Sequence, residues 1–378
     1  MTINPSALFG RPTPRIDGAA KVTGTARYAS DEPVANPAYA SLVTSTIARG
    51  RLAELKLDRA KAVPGVLDIL THENVGAQAK RPPSPDGQPT TTTLESDQIW
   101  HDGQIVAVVV AETFEAAREA ANRVEVTYVE ERPSASFDTQ GLASPPIVPE
   151  TGSLPRKGDA DVAFKNAAVR VDARYRTPAQ HHNAMELFTT TCAWDGSRLT
   201  IYEPTQGMWG TKAAVSTQLG LAPEHVRVVS RYVGGAFGGK AAITSRTAWI
   251  AIAARRLGRP IKLVATRDQG FTIATFRAET RQHVKLGASR DGRLVSLFHE
   301  GWEITSRPSD YGVAGVNGTA RMYASPNIGT AAAVIHADRN TPGFMRGPTE
   351  TPYMFSRERD GRAGVCLGHG PGRVAPHQ

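Results

Sequence analysis

Cysteine is nearly absent: Cys192 and Cys366 are the two in 378 residues, and neither stands in a C-x-x-C or comparable spacing. That scarcity excludes a disulfide framework and a cysteine-built metal centre, so a reducing compartment, the cytoplasm, is the expectation. No apolar run is long enough to span a bilayer, and the opening MTINPSALFGRPTPRIDG lacks the apolar core of a signal peptide. A Lys/Arg block is missing too. The formal net charge is +8, yet the basic residues alternate with acids and no aromatic ladder accompanies them. Neither nucleic acid nor a membrane is expected as a partner. A Ser-His-Asp elbow, an H-E-x-x-H helix and a paired-carboxylate signature are also lacking.

What is present is an ordinary globular composition, 40% hydrophobic, with length enough for two domains. The fold class is read as α+β. Residues 1–20 form an N-terminal arm, and residues 21–132 form a first unit that could fold alone. In it, AKAVPGVLDILTHENV predicts a short helix, a Pro-Gly break and a strand. GQIVAVVVAE predicts a strand, and FEAAREAANRV a helix with Phe114, Ala117, Ala121 and Val124 on one face and Thr113 as N-cap. VEVTYVEE returns as a strand.

Residues 133–161, rich in Pro, Ser and Gly, read as a linker or crossing loop. A second unit spans 162–355. Its signals are a strand at AVRVDARYRT, hairpins at Asp195-Gly196 and Asp291-Gly292, a helix ending at Gly220, and AAITSRTAWIAIAARRLGRPIKLV as helix, break and strand.

Four motifs could carry chemistry. Gly234-Gly235-Ala236-Phe237-Gly238-Gly239-Lys240 lets backbone approach a ligand closely and aim several N–H groups one way, with a helix expected just after it. It is not a P-loop, because Ala241 follows Lys240, and it is equally readable as a tight turn. Thr205-Gln206 ends a strand in EPTQGMWG; the glutamine matters if it faces the glycine loop. Arg346 stands between glycines in GFMRGPTETP, which suits an anion or a polarised oxygen, or an ordinary salt bridge. His181 and His182 are adjacent, and neighbours in a strand face opposite ways, so joint metal binding is not expected.

Taken in order, RIDGAAKVTGTARYASD, AVPGVLDILTHENV, WHDGQIVAVVVAET, TQGMWGTKAAVSTQLGL, VGGAFGGK and ASPNI…TPGFMRGP resemble the molybdopterin-binding subunit of the xanthine dehydrogenase and aldehyde oxidase family, in its bacterial three-subunit form. The resemblance covers nearly all of the chain up to Phe355. It implies an α/β hammerhead domain followed by the first of two molybdenum-cofactor-binding domains. It implies oxidation of an aldehyde or hydroxylation of a small N-heterocycle with water as the oxygen source. The implied cofactor is molybdenum-molybdopterin in its cytosine dinucleotide form, with 2Fe-2S and FAD on an iron–sulfur and a flavin partner subunit.

By the same resemblance, Gln206 hydrogen-bonds a molybdenum oxo group, Gly235, Phe237 and Gly238 belong to the loop whose backbone faces the cofactor, and the backbone of Arg346 approaches the metal. Gln206, Phe237 and Arg346 would lie near molybdenum without ligating it. Purine-oxidising members carry Glu where this chain has Ala241 and Phe where it has Pro348, which favours an aldehyde or another small substrate over a purine.

The family continues past the GPxETPYMF pattern into a helix and then a second cofactor domain bearing the catalytic Glu. This chain instead reads SRERDGRAGVCLGHGPGRVAPHQ over residues 356–378, without helical or strand period. For a permitted choice of codons, a shift of one base from Glu358 reads Ser-Ala-Met-Asp-Glu-Leu-Ala and the same shift at His369 reads Met-Asp-Pro-Val-Glu, so a frameshift near Ser356-Arg357 is expected. The expectation is therefore an out-of-frame tail, an absent second cofactor domain, no catalytic residue in the chain, and inactivity alone. The alternative is a non-catalytic fragment that binds cofactor or partner.

Overall fold

The computed structural model describes residues 12–79, 93–139, 154–241, 245–313 and 315–359. The first region contributes strands β1 (Ala38–Thr44), β2 (Gly50–Lys56), β3 (Val66–Thr71), β4 (Gln98–Ile99), β5 (Ile105–Ala111) and β6 (Glu125–Glu130). The second contributes β7 (Val169–Thr177), β8 (Thr189–Asp195), β9 (Arg198–Tyr202), β10 (Val226–Val229), β11 (Ile261–Val264), β12 (Thr280–Ala288), β13 (Leu294–Ser306) and β14 (Ile328–Ala337). The helices that matter for the site are α1 (Phe114–Asn122), α2 (Ala160–Asn166), α3 (Met208–Leu219), α4 (Arg246–Leu257), α5 (Arg267–Ile273) and α6 (Glu350–Arg359).

The first region keeps one small sheet to itself, β4-β2-β6, and shares its larger one. A seven-stranded sheet runs β10-β9-β8-β11-β1-β5-β3, so strands of both regions share one hydrogen-bonded layer. The seam is the parallel pairing of Ala38, Tyr39 and Ala40 with Ile261, Lys262 and Leu263. Arg259 fixes it from the side, donating to the carbonyls of Asn36 (3.1 Å) and Pro37 (3.3 Å) and to the Glu112 carboxylate (2.8 Å). Expecting the first region to fold alone missed this seam, which joins segments far apart in sequence.

β5 reads IVAVVVA because both its faces are covered. Val108 and Val110 pack in the cluster with Trp249 and Ile250 of α4, whereas Val106 and Val109 pack with Leu52 and Ala120. Each such valine contributes roughly 1.5–3 kcal/mol by burial. α1 is capped by Thr113, whose side chain accepts from Ala116 N–H, and it lies on β1 and β5 through Ala117, Ala120 and Ala121. Phe114, expected on that face, is exposed. Three alanines let the helix sit close to the sheet, and the phenylalanine at its first turn projects past the edge.

A second sheet, β14-β13-β12-β7, carries the Asp291-Gly292 hairpin, with Gly292 at φ +90°. The stretch predicted as linker is docked at its described ends. Ser134 N–H donates to Asp338 (2.7 Å), Lys157 pairs with Ile328, and Asp159 caps α2 by accepting from Val162 N–H.

One boundary needs correction. α6 runs through Ser356, where the sequence predicts the fold to end. Tyr353 and Ser356, three residues apart, share its buried face, and both are fully buried. The Ser356 hydroxyl donates to Gln282 Oε1 (2.6 Å) and the Tyr353 hydroxyl to Glu303 Oε1 (2.5 Å), tying the helix to β12 and β13. The expected junction near Ser356-Arg357 thus falls inside a helix, and residues 360–378 of the expected tail lie outside the described residues.

Candidate functional site

β9 ends at Tyr202, and the next five residues turn across the sheet end into α3. Their footing is Glu203. It is buried, pairs with Arg246 at 2.7 Å, and accepts from the hydroxyls of Thr190 (2.9 Å) and Thr247 (2.7 Å). Two residues on, the Thr205 hydroxyl accepts from Gly207 N–H (3.1 Å), and Gln206 N–H donates to Lys240 O (2.9 Å). The glutamine turn is therefore stitched to the last residue of the glycine loop.

The Gln206 side chain is exposed and faces that loop: its Oε1 accepts from Gly238 N–H at 2.9 Å. Because the partner is an N–H donor, the atom turned inward must be the amide oxygen. The Nε2 group is left outward and has no acceptor among the described residues.

The glycines of the loop answer to the protein behind it. A Cβ on Gly234 would lie 2.6 Å from Glu186 Cβ, on Gly238 2.2 Å from Phe344 O, and on Gly239 2.7 Å from His182 Nδ1. Gly235 and Gly238 also stand at φ +96° and +106°. Phe237 is left-handed as well, at φ +54°, a strained state for a phenylalanine. Its side chain is exposed, and its N–H has no acceptor among the described residues. The glycine pattern is thus required for packing, and what the loop offers forward is Phe237 and its amide.

Behind the loop, the buried ammonium of Lys240 donates to Glu186 Oε2 (2.7 Å) and Glu186 O (3.1 Å), while Gly234 N–H donates to the same carboxylate oxygen (2.7 Å). Burial pulls the Lys240 pKa down, and the Glu186 bond opposes it. Arg267 holds the segment before Glu186, donating to the carbonyls of Ala184 (2.5 Å) and Met185 (2.9 Å). The helix expected directly after Lys240 begins only at Arg246, so a helix N-terminus is not what this loop presents.

Arg346 joins the same wall by its backbone: Arg346 N–H donates to Phe237 O at 2.9 Å. Its carbonyl accepts from Arg277 Nη2 (2.9 Å). Both peptide groups are therefore engaged within the protein, and the exposed guanidinium, without an ion pair among the described residues, is the free part. Gln206, Gly238, Phe237 and Arg346 form one hydrogen-bonded chain across three separate loops, and Gly235 stands beside it against Ala184.

The histidines part company. His181 stacks on Phe276 (5.3 Å) and meets Phe271 edge-on (5.5 Å). His182 donates from Nε2 to Phe344 O at 2.6 Å, and burial lowers its pKa, which favours the neutral ring. Among the described residues no group of three or more His, Cys, Asp or Glu is placed to hold a metal ion. No described helix is long and apolar enough to cross a membrane.

Sequence reasoning missed Glu186, Arg267 and Arg277. Glu186 lay in a segment read only for its histidines, and Arg277 reaches a loop about seventy residues away, which no local pattern announces.

An exposed amide donor, a forward N–H and a free guanidinium suit an anionic, oxo-bearing group held from outside without direct ligation. The sequence profile described as the molybdopterin cofactor-binding domain matches residues 147–360, and that of the aldehyde oxidase and xanthine dehydrogenase a/b hammerhead domain matches residues 23–132. The chain belongs to the aldehyde oxidase and xanthine dehydrogenase family. Within this family it is 37% identical over 355 residues to the aldehyde oxidoreductase molybdenum-binding subunit PaoC of Escherichia coli O157:H7, covering 93% of this chain and 47% of that one. It is 27% identical over 351 residues to the nicotinate dehydrogenase large molybdopterin subunit of Eubacterium barkeri, covering 90% of this chain and 81% of that one. The fold matches the aldehyde oxidoreductase of Desulfovibrio gigas with a TM-score of 0.82 at 23% identity, over 96% of this chain and 42% of the other. The chain therefore spans about half the length of PaoC, and the family match reaches past Ser356 to residue 360.

Proposed function

We propose that the chain forms one wall of the molybdenum pocket of an oxidoreductase that acts on an aldehyde or a small N-heterocycle. The observation that carries this reading is the Gly238–Gln206 bond, which leaves the glutamine amide nitrogen as an outward donor beside the Phe237 amide. The molybdenum-molybdopterin group, in its cytosine dinucleotide form, supplies the two-electron redox chemistry when bound. Gln206 Nε2 donates to an oxygen of that group, Phe237 N–H faces it, Gly235 and Gly238 hold the loop's shape, and the Arg346 guanidinium adds positive charge at the rim. Ala241 and Pro348, with the likeness to PaoC, favour an aldehyde over a purine.

Electrons leave through a 2Fe-2S subunit and an FAD subunit, and the assembly is cytoplasmic, with neither nucleic acid nor membrane as partner. The catalytic Glu implied by the resemblance belongs to a second cofactor domain, and this chain spans 47% of the length of PaoC.

The test is to co-express the complete reading frame that carries this chain with both electron-transfer subunits. Molybdenum by mass spectrometry and dye reduction with an aldehyde and a purine are then measured. Near-stoichiometric molybdenum and aldehyde-dependent turnover are expected; a metal-free product that is inert towards both substrates overturns the reading.

A further inference from the structure

The loop from Gly343 to Pro348 has neither helix nor strand, yet its position determines where Arg346 meets Phe237. Arg277, 5% exposed, holds it. Its Nη2 donates to the carbonyls of Met345 and Arg346, both at 2.9 Å, and its Nη1 to those of Gly347 (2.9 Å) and Pro348 (3.4 Å). Four successive carbonyls are gathered on one guanidinium.

A buried cation is costly, and the usual compensation is a carboxylate. Arg277 has no ion pair among the described residues, and its Nε is buried without a partner. Burial pulls its pKa down, and only the charge of Glu350 opposes that. A cation accepted at such cost points to a geometric task. Only the planar fork of arginine carries enough donors, on two nitrogens, to span four carbonyls.

We infer that Arg277 is a positioning residue of the molybdenum pocket: by drawing the carbonyls of residues 345–348 to one side, it turns Arg346 N–H onto Phe237 O and so holds Phe237 in its left-handed conformation. His182, donating to Phe344 O, is the second anchor of the same loop. Without Arg277 the remaining anchors, His182 on Phe344 O and Phe276 O on Gly343 N–H, hold only the start of the loop, so Phe237 O loses its donor and the glycine loop is free to relax from its strained turn. The effect on turnover rests on the pocket reading above; the effect on the loop does not.

The test is amide hydrogen exchange by mass spectrometry on the full chain, comparing wild type with Arg277→Gln and Arg277→Lys. Exchange in the segments containing Arg346 and Phe237–Lys240 should quicken roughly tenfold to a hundredfold, the range for losing a charge-assisted bond, with β5 and α4 unchanged. Arg277→Lys should recover little of this, because an ammonium presents its donors from one atom. In the assembled enzyme, kcat should fall while KM and molybdenum content stay near wild type. Unchanged loop exchange, full recovery by lysine, or equal acceleration across the seven-stranded sheet overturns the inference. A wild-type enzyme without molybdenum overturns the function reading instead, and the exchange result still decides the role of Arg277.

Discussion

Gly238 donates its N–H to Gln206 Oε1 over 2.9 Å, and this bond decides which end of the glutamine amide faces outward. Replacing Gln206 with Glu separates the two jobs of the side chain. A carboxylate still accepts from Gly238, but it has no N–H to offer outward and adds a negative charge. Turnover of the assembled enzyme should fall by roughly a hundredfold or more, the scale for losing a preorganised donor, with the melting temperature little changed. A Gln206→Glu enzyme of wild-type rate removes the assigned role.

Gly238 and Gly220 are both left-handed glycines, at φ +106° and +64°, but only one is crowded. A Cβ at Gly220 meets nothing within 4 Å, whereas at Gly238 it falls 2.2 Å from the Phe344 carbonyl oxygen. Gly220→Ala should cost about 1 kcal/mol, from backbone strain alone. Gly238→Ala should cost roughly 3 kcal/mol or more and loosen the Arg346 loop. Equal denaturant midpoints for the two variants contradict this account.

The Glu203–Arg246 pair is nearly dry, with the side chains 9% and 3% exposed. Removing one partner leaves a buried charge alone. Glu203→Ala should therefore destabilise the protein by roughly 3–5 kcal/mol. Exchanging both residues for apolar ones of similar volume should recover much of that loss. Chemical denaturation of the single and double variants reads the difference directly.

Stability should also fall in mild acid. His101 is buried, with its Nδ1 2.7 Å from Asp102 O, and burial lowers its pKa from 6.5 to about 4. His181 and His182 shift the same way, burial being the first cause in each. Between these limits the unfolded chain binds more protons than the folded one, so acid favours unfolding. The stabilisation is complete above pH 6.5 and lost as pH falls to about 4, with His101 alone worth on the order of 3 kcal/mol. Urea midpoints taken across that range should slope accordingly, and His101→Gln should flatten the slope; a wild-type profile already flat excludes it.

Local elements were legible wherever one residue type forces one geometry. Thr113 before an alanine-rich helix, Gly220 and Gly258 after helices, and the Asp195-Gly196 turn are read from neighbours a few residues away and stand where they were predicted. Gln206, Phe237 and Arg346 are singled out because their segments resemble a known pattern, yet the bonds joining their loops are invisible in sequence, since each crosses between loops. The end of the fold was misjudged for a related reason. Ser356 has no helical period after it, but its hydroxyl finds Gln282 on a strand that nothing local connects to it.

The seam between β1 and β11 has a consequence for how the molecule is made. Ala38–Ala40 leave the ribosome roughly 220 residues before Ile261–Leu263, their partners on that side. At about 5–20 residues per second the open edge of β1 waits roughly ten to forty-five seconds. During that interval an apolar strand with unmet backbone groups is a template for another nascent chain. Synthesis of this protein is therefore a race between the arrival of β11 and neighbouring chains on the polysome for the edge of β1.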